Sequence, residues 1–202
     1  MSIKRIAIAG IIAAALTLTA CTGTGNPNPT ASPSNTPTPT STAGTKVPPP
    51  ASEDEAIAAA DSVLTEYLVA RGEVNAAGGT DTSSLEVLAT GKALDVAVRD
   101  AAYVAEGPVL NVDQVNVEGP ATTEGAIKYE TLSAYGQPWE DVENGLVTIN
   151  ACQDASEYKV FASDGSEALR PDARTTFDYQ VIYDSERQTW LVYDLISLGE
   201  SC

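Results

Sequence analysis

The chain has 202 residues, with 28 acidic and 11 basic side chains, no histidine and a formal charge of −17. Phosphate contacts need clustered lysine and arginine, so this balance argues against nucleic acid as a partner. The lack of histidine also removes the side chain that enzymes use most often as a general base and as a metal ligand.

The first twenty residues are typical of an export signal. Lys4 and Arg5 give a positive start, and residues 6–20 form an apolar run without a charge. This run is too short for a permanent transmembrane helix, which needs about 20 residues. We therefore predict that residues 1–20 are a signal peptide.

The run ends in Leu18-Thr19-Ala20-Cys21, which resembles the lipobox of bacterial lipoproteins. The resemblance implies that Cys21 is lipidated and becomes the first residue of the mature protein. Two or more acyl chains hold a protein stably on a membrane. We therefore expect a lipid-anchored protein on the extracytoplasmic face of the cell membrane. The alternative is an ordinary secretory signal in which Cys21 is incidental.

The composition changes abruptly after the cysteine. Residues 22–50 hold eight of the twelve prolines, eight threonines and a single charge, Lys46. Such a sequence cannot bury enough apolar surface to offset its ordering entropy, so we expect a disordered or polyproline-like chain reaching up to about 90 Å. Residues 21–50 are then the lipidated cysteine with its linker, and residues 51–202 are one folded domain. The Thr-Pro repeats suit O-glycosylation, and an unmodified tether explains them equally well.

The acidity of the mature protein limits its partners. Loss of Lys4 and Arg5 from the 11 basic residues leaves 9 against 28 acidic ones, a formal charge of −19. Such a domain repels anionic lipid head groups and attracts cations or a basic protein. Solubility of an exposed secreted domain is the commoner reason for this charge.

Two amphipathic helices are predicted at the start of the domain. Ser52 and Glu55 form a capping box after three prolines, and the first helix is expected to end at Gly72 or Gly78. The second helix is predicted to start near Ser83 with a break or kink at Gly91. It is expected to end at Gly107-Pro108.

From residue 109 onward the apolar pattern has a period of two, which indicates strands. They are predicted at Val109–Val117, Thr123–Tyr135, Gly145–Cys152, Tyr158–Ala162, Thr175–Tyr183 and Trp190–Leu198. Turn signals separate them, among them Gly136-Gln137-Pro138. One face of the fifth strand holds Phe177, Tyr179, Val181 and Tyr183, and the other face holds Asp178, Gln180, Ile182 and Asp184. One face of the last strand is predicted to hold Trp190, Val192, Asp194, Ile196 and Leu198.

Helices followed by strands predict an α+β fold, with two N-terminal helices packed on a curved, mostly antiparallel sheet. This order resembles the NTF2-like (cystatin-like cone) fold. Four short motifs also resemble those of actinobacterial lipoproteins of unknown function. They are Gly79-Thr80-Asp81-Thr82-Ser83-Ser84-Leu85, Cys152-Gln153-Asp154-Ala155-Ser156, Asp164-Gly165-Ser166 and Trp190-Leu191-Val192. The resemblance implies the cone fold and brings no activity with it.

Cys152 and Cys202 are the other cysteines of the chain. An isolated pair in an oxidising compartment usually forms a disulfide, which we predict here. The alternative is a thiol nucleophile or a metal-binding pair, for which the chain offers no histidine as base or co-ligand.

A cone of this kind has a mouth between its helices and sheet. The candidate cavity residues are Tyr67, Asp178, Ile182 and Asp194. Without histidine, a general base at the mouth would be a carboxylate such as Asp178 or Asp194. The tyrosines considered for a pocket are Tyr67, Tyr103, Tyr129, Tyr179, Tyr183 and Tyr193. No P-loop, nucleophile elbow, zinc signature or dinucleotide fingerprint is present, so we expect no cofactor, no metal and no enzyme activity.

These observations favour a non-catalytic domain at the cell envelope that contacts a protein or a cell-wall component. That hypothesis predicts a filled or shallow cone and a contiguous exposed apolar patch. One alternative is a module that holds a small apolar or cationic ligand in an empty cone. The other is an enzyme that uses a buried carboxylate in that cavity.

Overall fold

The computed structural model describes residues 46–170 and 172–202. The predicted signal peptide, Cys21 and most of the predicted linker lie outside these residues. In the described part the chain forms three helices, α1 (Glu53–Ala76), α2 (Ser83–Glu86) and α3 (Gly91–Glu106). The strands that follow are β1 (Val109–Leu110), β2 (Asn116–Val117), β3 (Thr122–Glu124), β4 (Lys128–Trp139), β5 (Val142–Asp154), β6 (Lys159–Phe161), β7 (Arg174–Asp184) and β8 (Thr189–Ser197).

Helix α1 begins at the predicted cap. The Glu55 N–H donates to Ser52 Oγ at 3.2 Å, and the Glu55 carboxylate accepts from the Ala51 N–H at 2.9 Å. These two bonds satisfy backbone donors that a helix N-terminus leaves unpaired. The helix continues through Gly72 and ends at Ala76, before Gly78 with its φ of 92°.

The second predicted helix is divided into α2 and α3. Between them, the carbonyl of Leu88 accepts from the Val192 N–H, and the Thr90 N–H donates to the Val192 carbonyl, both at 2.9 Å. The short connection therefore pairs with the edge of β8. Helix α3 ends at Glu106, and Gly107 caps it with a φ of 71°, at the predicted position.

The largest sheet is four-stranded and antiparallel, in the order β4-β5-β7-β8. Two further antiparallel pairs, β1-β2 and β3-β6, lie outside it. The described residues therefore form an α+β fold in which helices pack on antiparallel sheets, and this confirms the predicted class. Helices α1 and α3 contact the same face of the large sheet, which we call the helix face.

Three of the sequence predictions for this region are wrong. The predicted strand Thr123–Tyr135 is divided between β3 and β4, which belong to different sheets. Val109–Val117 is a hairpin of β1 and β2, because Asn111 Oδ1 accepts from the N–H groups of Asp113 and Val115 and closes a turn. The turn predicted at Gly136-Gln137-Pro138 is part of β4. A proline is tolerated there because β4 is an edge strand whose pairing shifts register beside Pro138.

The helix face carries the main core. Its largest fully buried side chains include Tyr67 of α1, Ile149 of β5 and Tyr179 of β7. The predicted alternation in β7 agrees with the observed burial, since Phe177, Tyr179, Val181 and Tyr183 pack into or against this core. Asp178 and Ile182 therefore lie on the opposite face, which we call the far face.

The face predicted for Asp194 in β8 is wrong. A bulge at Tyr193 shifts the register, so that Val192 pairs with Val181 while Asp194 pairs with Gln180. A single extra residue moves all later side chains to the other face of a sheet. Asp194 and Ile196 therefore lie on the far face, whereas Val192 belongs to the core on the helix face.

Cys152 and Cys202 form the predicted disulfide, with their Cα atoms 5.8 Å apart. Cys152 is buried in β5 beside its cross-strand partner Thr176. The N–H of Thr176 donates to the Glu200 carbonyl at 2.8 Å, so the last residues continue along β7. The disulfide thus attaches the C-terminal segment to β5, an inner strand of the large sheet.

Two adjacent glycines after α1 provide a test of how closely α1 and α3 pack. Both have positive φ, 92° at Gly78 and 71° at Gly79, but only a Cβ at Gly79 would meet the Ala101 carbonyl oxygen, at 2.1 Å. We expect Gly78→Ala to lower the free energy of unfolding by about 1–2 kcal/mol through its backbone conformation. Gly79→Ala should lower the free energy of unfolding by about 1–3 kcal/mol more than Gly78→Ala does, because α3 must shift to admit the new methyl group. Urea unfolding measures both, and equal losses would contradict the close contact.

Candidate functional site

A cavity of about 550 Å³ lies between the C-terminal halves of α1 and α3 and the two small sheets. Its walls include Leu68 of α1 and Val104 of α3. The opposite side is formed by Val109 and Val160 from the small sheets and by Ile127 before β4. Leu68 belongs to the main core, whereas Val104 and Val109 belong to a second, smaller apolar cluster. The cavity therefore lies where two cores meet without filling the space between them.

Small side chains explain why this space is empty. Gly72 and Ala76 of α1 face Ala121, Gly125 and Ala126, which flank β3 on the other side of the cavity. None of the five carries a side chain larger than a methyl group. Ala76, Gly125 and Ala126 are exposed, so these small residues line a cleft that opens to solvent.

Gly72 has no packing reason to be glycine. It lies inside α1, where glycine costs about 1 kcal/mol relative to alanine. A Cβ at this position would meet nothing within 4 Å, because the residue borders the cavity. The glycine therefore enlarges the cavity at a cost in helix stability.

One wall of the cavity carries an ion pair. Arg71 Nη2 of α1 donates to Asp100 Oδ2 of α3 at 2.7 Å, with side chains 12% and 36% exposed respectively. The guanidinium lies over the Tyr67 ring, 5.6 Å from its centroid. Arg71 Nε is buried and has no hydrogen-bond partner among the described residues. The arginine is thus largely enclosed, while the aspartate stays accessible.

Other polar groups also converge on the cavity. Asn75 Nδ2, which belongs to a buried residue, donates to the Tyr158 hydroxyl at 3.1 Å. Glu73 and Tyr103 are exposed residues of the lining. A mainly apolar cavity with a few polar groups is the usual form of a small-molecule site.

The four candidate cavity residues do not form one site. Tyr67 is buried in the core and donates its hydroxyl to the Ala93 carbonyl at 2.8 Å. Asp178 and Ile182 lie on the far face, where Asp178 accepts from the Asn150 amide at 2.8 Å. Asp194, also on that face, accepts from Lys92 Nζ at 2.9 Å, and this bond raises the pKa of Lys92. None of the four lines the cavity described above.

Of the tyrosines considered from the sequence, Tyr103 does line the cavity. Sequence reasoning missed Asn75, Asp100 and Tyr158, which supply three of its polar groups. Two signals were visible for part of the site. Gly72 interrupts an otherwise helical pattern, and Asp100 precedes Tyr103 by one helical turn. Nothing in the pattern indicated that Tyr158 would reach the same space.

No protein-family model and no characterised protein matches the chain in sequence. Among solved structures, the chain is similar to the intermembrane space region of chloroplast protein ARC6, at 13% identity and a TM-score of 0.42. The likeness covers 70% of this chain and 95% of that one.

Two searches of the described residues gave negative results. Residues 46–170 and 172–202 contain no cluster of three or more acidic or cysteine side chains suited to hold a metal ion. The helices formed by the same residues are all too short or too polar to cross a membrane.

The tyrosine beneath the ion pair predicts a loss of stability at high pH. Burial raises the pKa of Tyr67 to about 12, although the nearby Arg71 opposes this. Between pH 10 and 12 the residue ionises only in the unfolded chain, so stability is lost as pH rises through this window, by about 2–3 kcal/mol. Urea unfolding at pH 9 and at pH 12 measures this loss, and Tyr67→Phe should lose about 2–3 kcal/mol less than the wild type between the two pH values. Tyr103→Phe, at an exposed residue, should leave it unchanged. An unaltered loss in Tyr67→Phe would contradict the assignment.

Proposed function

We propose that the chain is a lipoprotein, attached through Cys21 to the extracytoplasmic face of the membrane, whose domain binds a small and largely apolar ligand. The observation that supports this most is the cavity of about 550 Å³ between α1 and α3. Ligand sites typically have about 300–1,000 Å³ and apolar walls. This cavity meets both conditions, and Gly72 enlarges it at the expense of helix stability.

The proposed activity is binding without chemistry. The carboxylates that border the cavity are Glu73, which is exposed, and Asp100, whose Oδ2 is bound to Arg71. A general base must have a free acceptor within reach of the proton it removes. An aspartate held by an arginine at 2.7 Å is better suited to orient a ligand than to remove its proton.

We further propose that the domain is an NTF2-like cone. Its support is the order of elements, in which helices precede a four-stranded antiparallel sheet and cover one of its faces. The cavity differs in position from the one expected on the large sheet. It lies at the C-terminal end of α1, beside β3 and β6.

The cavity lies at the other end of α1 from the point where the described chain enters the domain. The Val47 N–H donates to the Gln188 carbonyl and the Val47 carbonyl accepts from the Tyr183 hydroxyl, both at 2.7 Å. The chain therefore enters the domain at the β7–β8 hairpin, close to the start of α1. The cavity begins at Leu68, about 20 Å further along α1 at 1.5 Å per residue.

A second candidate function is contact with a protein or a cell-wall component. The hairpin of β1 and β2 and the adjoining segment before residue 171 expose four apolar side chains, Leu110, Val112, Val115 and Leu169. They belong to one surface, because the Leu169 N–H donates to the Leu110 carbonyl at 2.7 Å. Exposed apolar patches often mark interaction sites.

Binding in the cavity is tested with the neutral fluorescent dye N-phenylnaphthylamine. We expect the wild-type domain to bind the dye, and Gly72→Leu to weaken binding strongly because its side chain occupies the part of the cavity beside α1. Gly72→Ala is the matched control and should retain binding. Both variants should stabilise α1 by about 1 kcal/mol, so unfolding would not explain a loss. Equal dye binding by wild type and Gly72→Leu would contradict this site.

The anchor is tested by mass spectrometry of the mature protein in its bacterial host. We expect an N-terminal peptide that begins at Cys21 and carries diacylglycerol, with or without an added acyl group on the amine. Cys21→Ala should abolish lipidation and leave the protein outside the detergent-extracted fraction or unprocessed. An unmodified Cys21 in the wild-type protein would overturn the proposed anchor.

A further inference from the structure

We propose that the ligand of the cavity is an amphiphilic organic cation, with an apolar body inside the cavity and a single ammonium group against Asp100 and Tyr103. This inference rests on the proposed function and specifies the chemistry of the ligand. It differs from a purely apolar ligand in requiring one positive charge at a defined place.

The charges of the lining favour a cation. Arg71 is the basic residue among the lining residues, and its side chain is only 12% exposed and already paired with Asp100. Glu73 is acidic, exposed and close in sequence. The lining therefore has an excess negative charge, and the arginine is poorly placed to receive an anionic head group.

Asp100 retains a free acceptor. Its Oδ2 binds Arg71, whereas its Oδ1 makes no hydrogen bond with the described residues, and the side chain is 36% exposed. A partly exposed carboxylate oxygen accepts strongly from an ammonium N–H, or attracts a quaternary ammonium through charge alone. The aspartate can therefore hold Arg71 and a ligand cation together.

Tyr103 adds an aromatic surface at the same place. It follows Asp100 by three residues on α3, so the two side chains are neighbours on one helix face, and both line the cavity. The residue is 53% exposed. Aromatic rings attract cations within about 6 Å of their centroids, with a contribution at exposed sites of about 2- to 5-fold in affinity.

The net charge of the whole chain also favours a cationic ligand. With a formal charge of −17, the protein attracts cations to its surface and repels anionic amphiphiles. This long-range effect weakens with salt, because the Debye length falls to about 8 Å at 0.15 M ionic strength. A local contact with Asp100 should persist at that ionic strength, which separates the two contributions.

The test is competition against N-phenylnaphthylamine by three compounds with one chain length, decyltrimethylammonium, decanol and decyl sulfate, below their micelle concentrations and at 0.15 M salt. We expect the ammonium compound to bind about 5- to 10-fold more tightly than decanol, and decyl sulfate to bind most weakly. Tyr103→Leu should reduce the advantage of the cation over decanol about 2- to 5-fold, with decanol affinity retained.

Substitution of the aspartate gives the sharper result. Asp100→Asn removes the carboxylate that faces the ammonium group, so the ammonium compound should lose most of its advantage over decanol. Asp95→Asn is the matched control, since it removes an exposed acid of the same helix that does not line the cavity. It should leave the order of the three compounds unchanged. Should Asp100→Asn fail to fold, Tyr103→Leu remains as the test of the cation site, because it replaces an exposed residue.

The outcomes separate the two proposals. If the dye binds and Gly72→Leu strongly weakens its binding, but the ammonium and sulfate compounds compete equally, the cationic ligand is refuted and the proposed function stands. If the order of the compounds is as expected but Asp95→Asn changes it as much as Asp100→Asn does, only the overall charge acts, and the inference is refuted. If the wild-type domain does not bind the dye, the proposed function fails, and this inference fails with it.

Discussion

Helix α1 packs on the large sheet and also contacts α2, α3 and β3, so most of the domain is arranged around it. Along its first half, Ala60 and Leu64 are buried against the helix face. Along its second half, from Leu68 to Ala76, the helix borders the cavity beside the two small sheets. One continuous helix of 24 residues therefore packs in the main core along its first half and lines the cavity along its second half. Because helices are stiff on this scale, the first contact fixes the geometry of the second.

The cavity has a cost that the rest of the fold must offset. Unfilled space reduces dispersion contacts, and a glycine within α1 reduces helix stability. The disulfide between Cys152 and Cys202 stabilises the large sheet independently of the cavity. Natural proteins often retain such local losses at sites that serve a function. Here the large sheet is well packed, and the loss of packing is confined to the cavity beside the C-terminal half of α1.

Local signals predicted where helices begin and end better than they predicted the bounds of the strands. Ser52 and Gly107 act where the sequence placed them, because caps depend on residues close in the chain. The face of Asp194 was not predictable, since the bulge at Tyr193 results from pairing with β7. An empty cavity was expected only under the alternative of a ligand-binding module, and with other lining residues. Its polar groups come from α1, α3 and the segment before β6, and only the three-dimensional arrangement brings Asp100 near Tyr158.

The attachment of Val47 has a mechanical consequence. In a chain anchored as proposed, tension from the cell surface would reach the domain through Val47, which is bonded to Tyr183 and Gln188. The load would therefore fall first on the β7–β8 hairpin. The cavity, about 20 Å further along α1, would bear little of it. A pull on the N-terminal end of the described residues would thus load the hairpin before it altered the shape of the cavity.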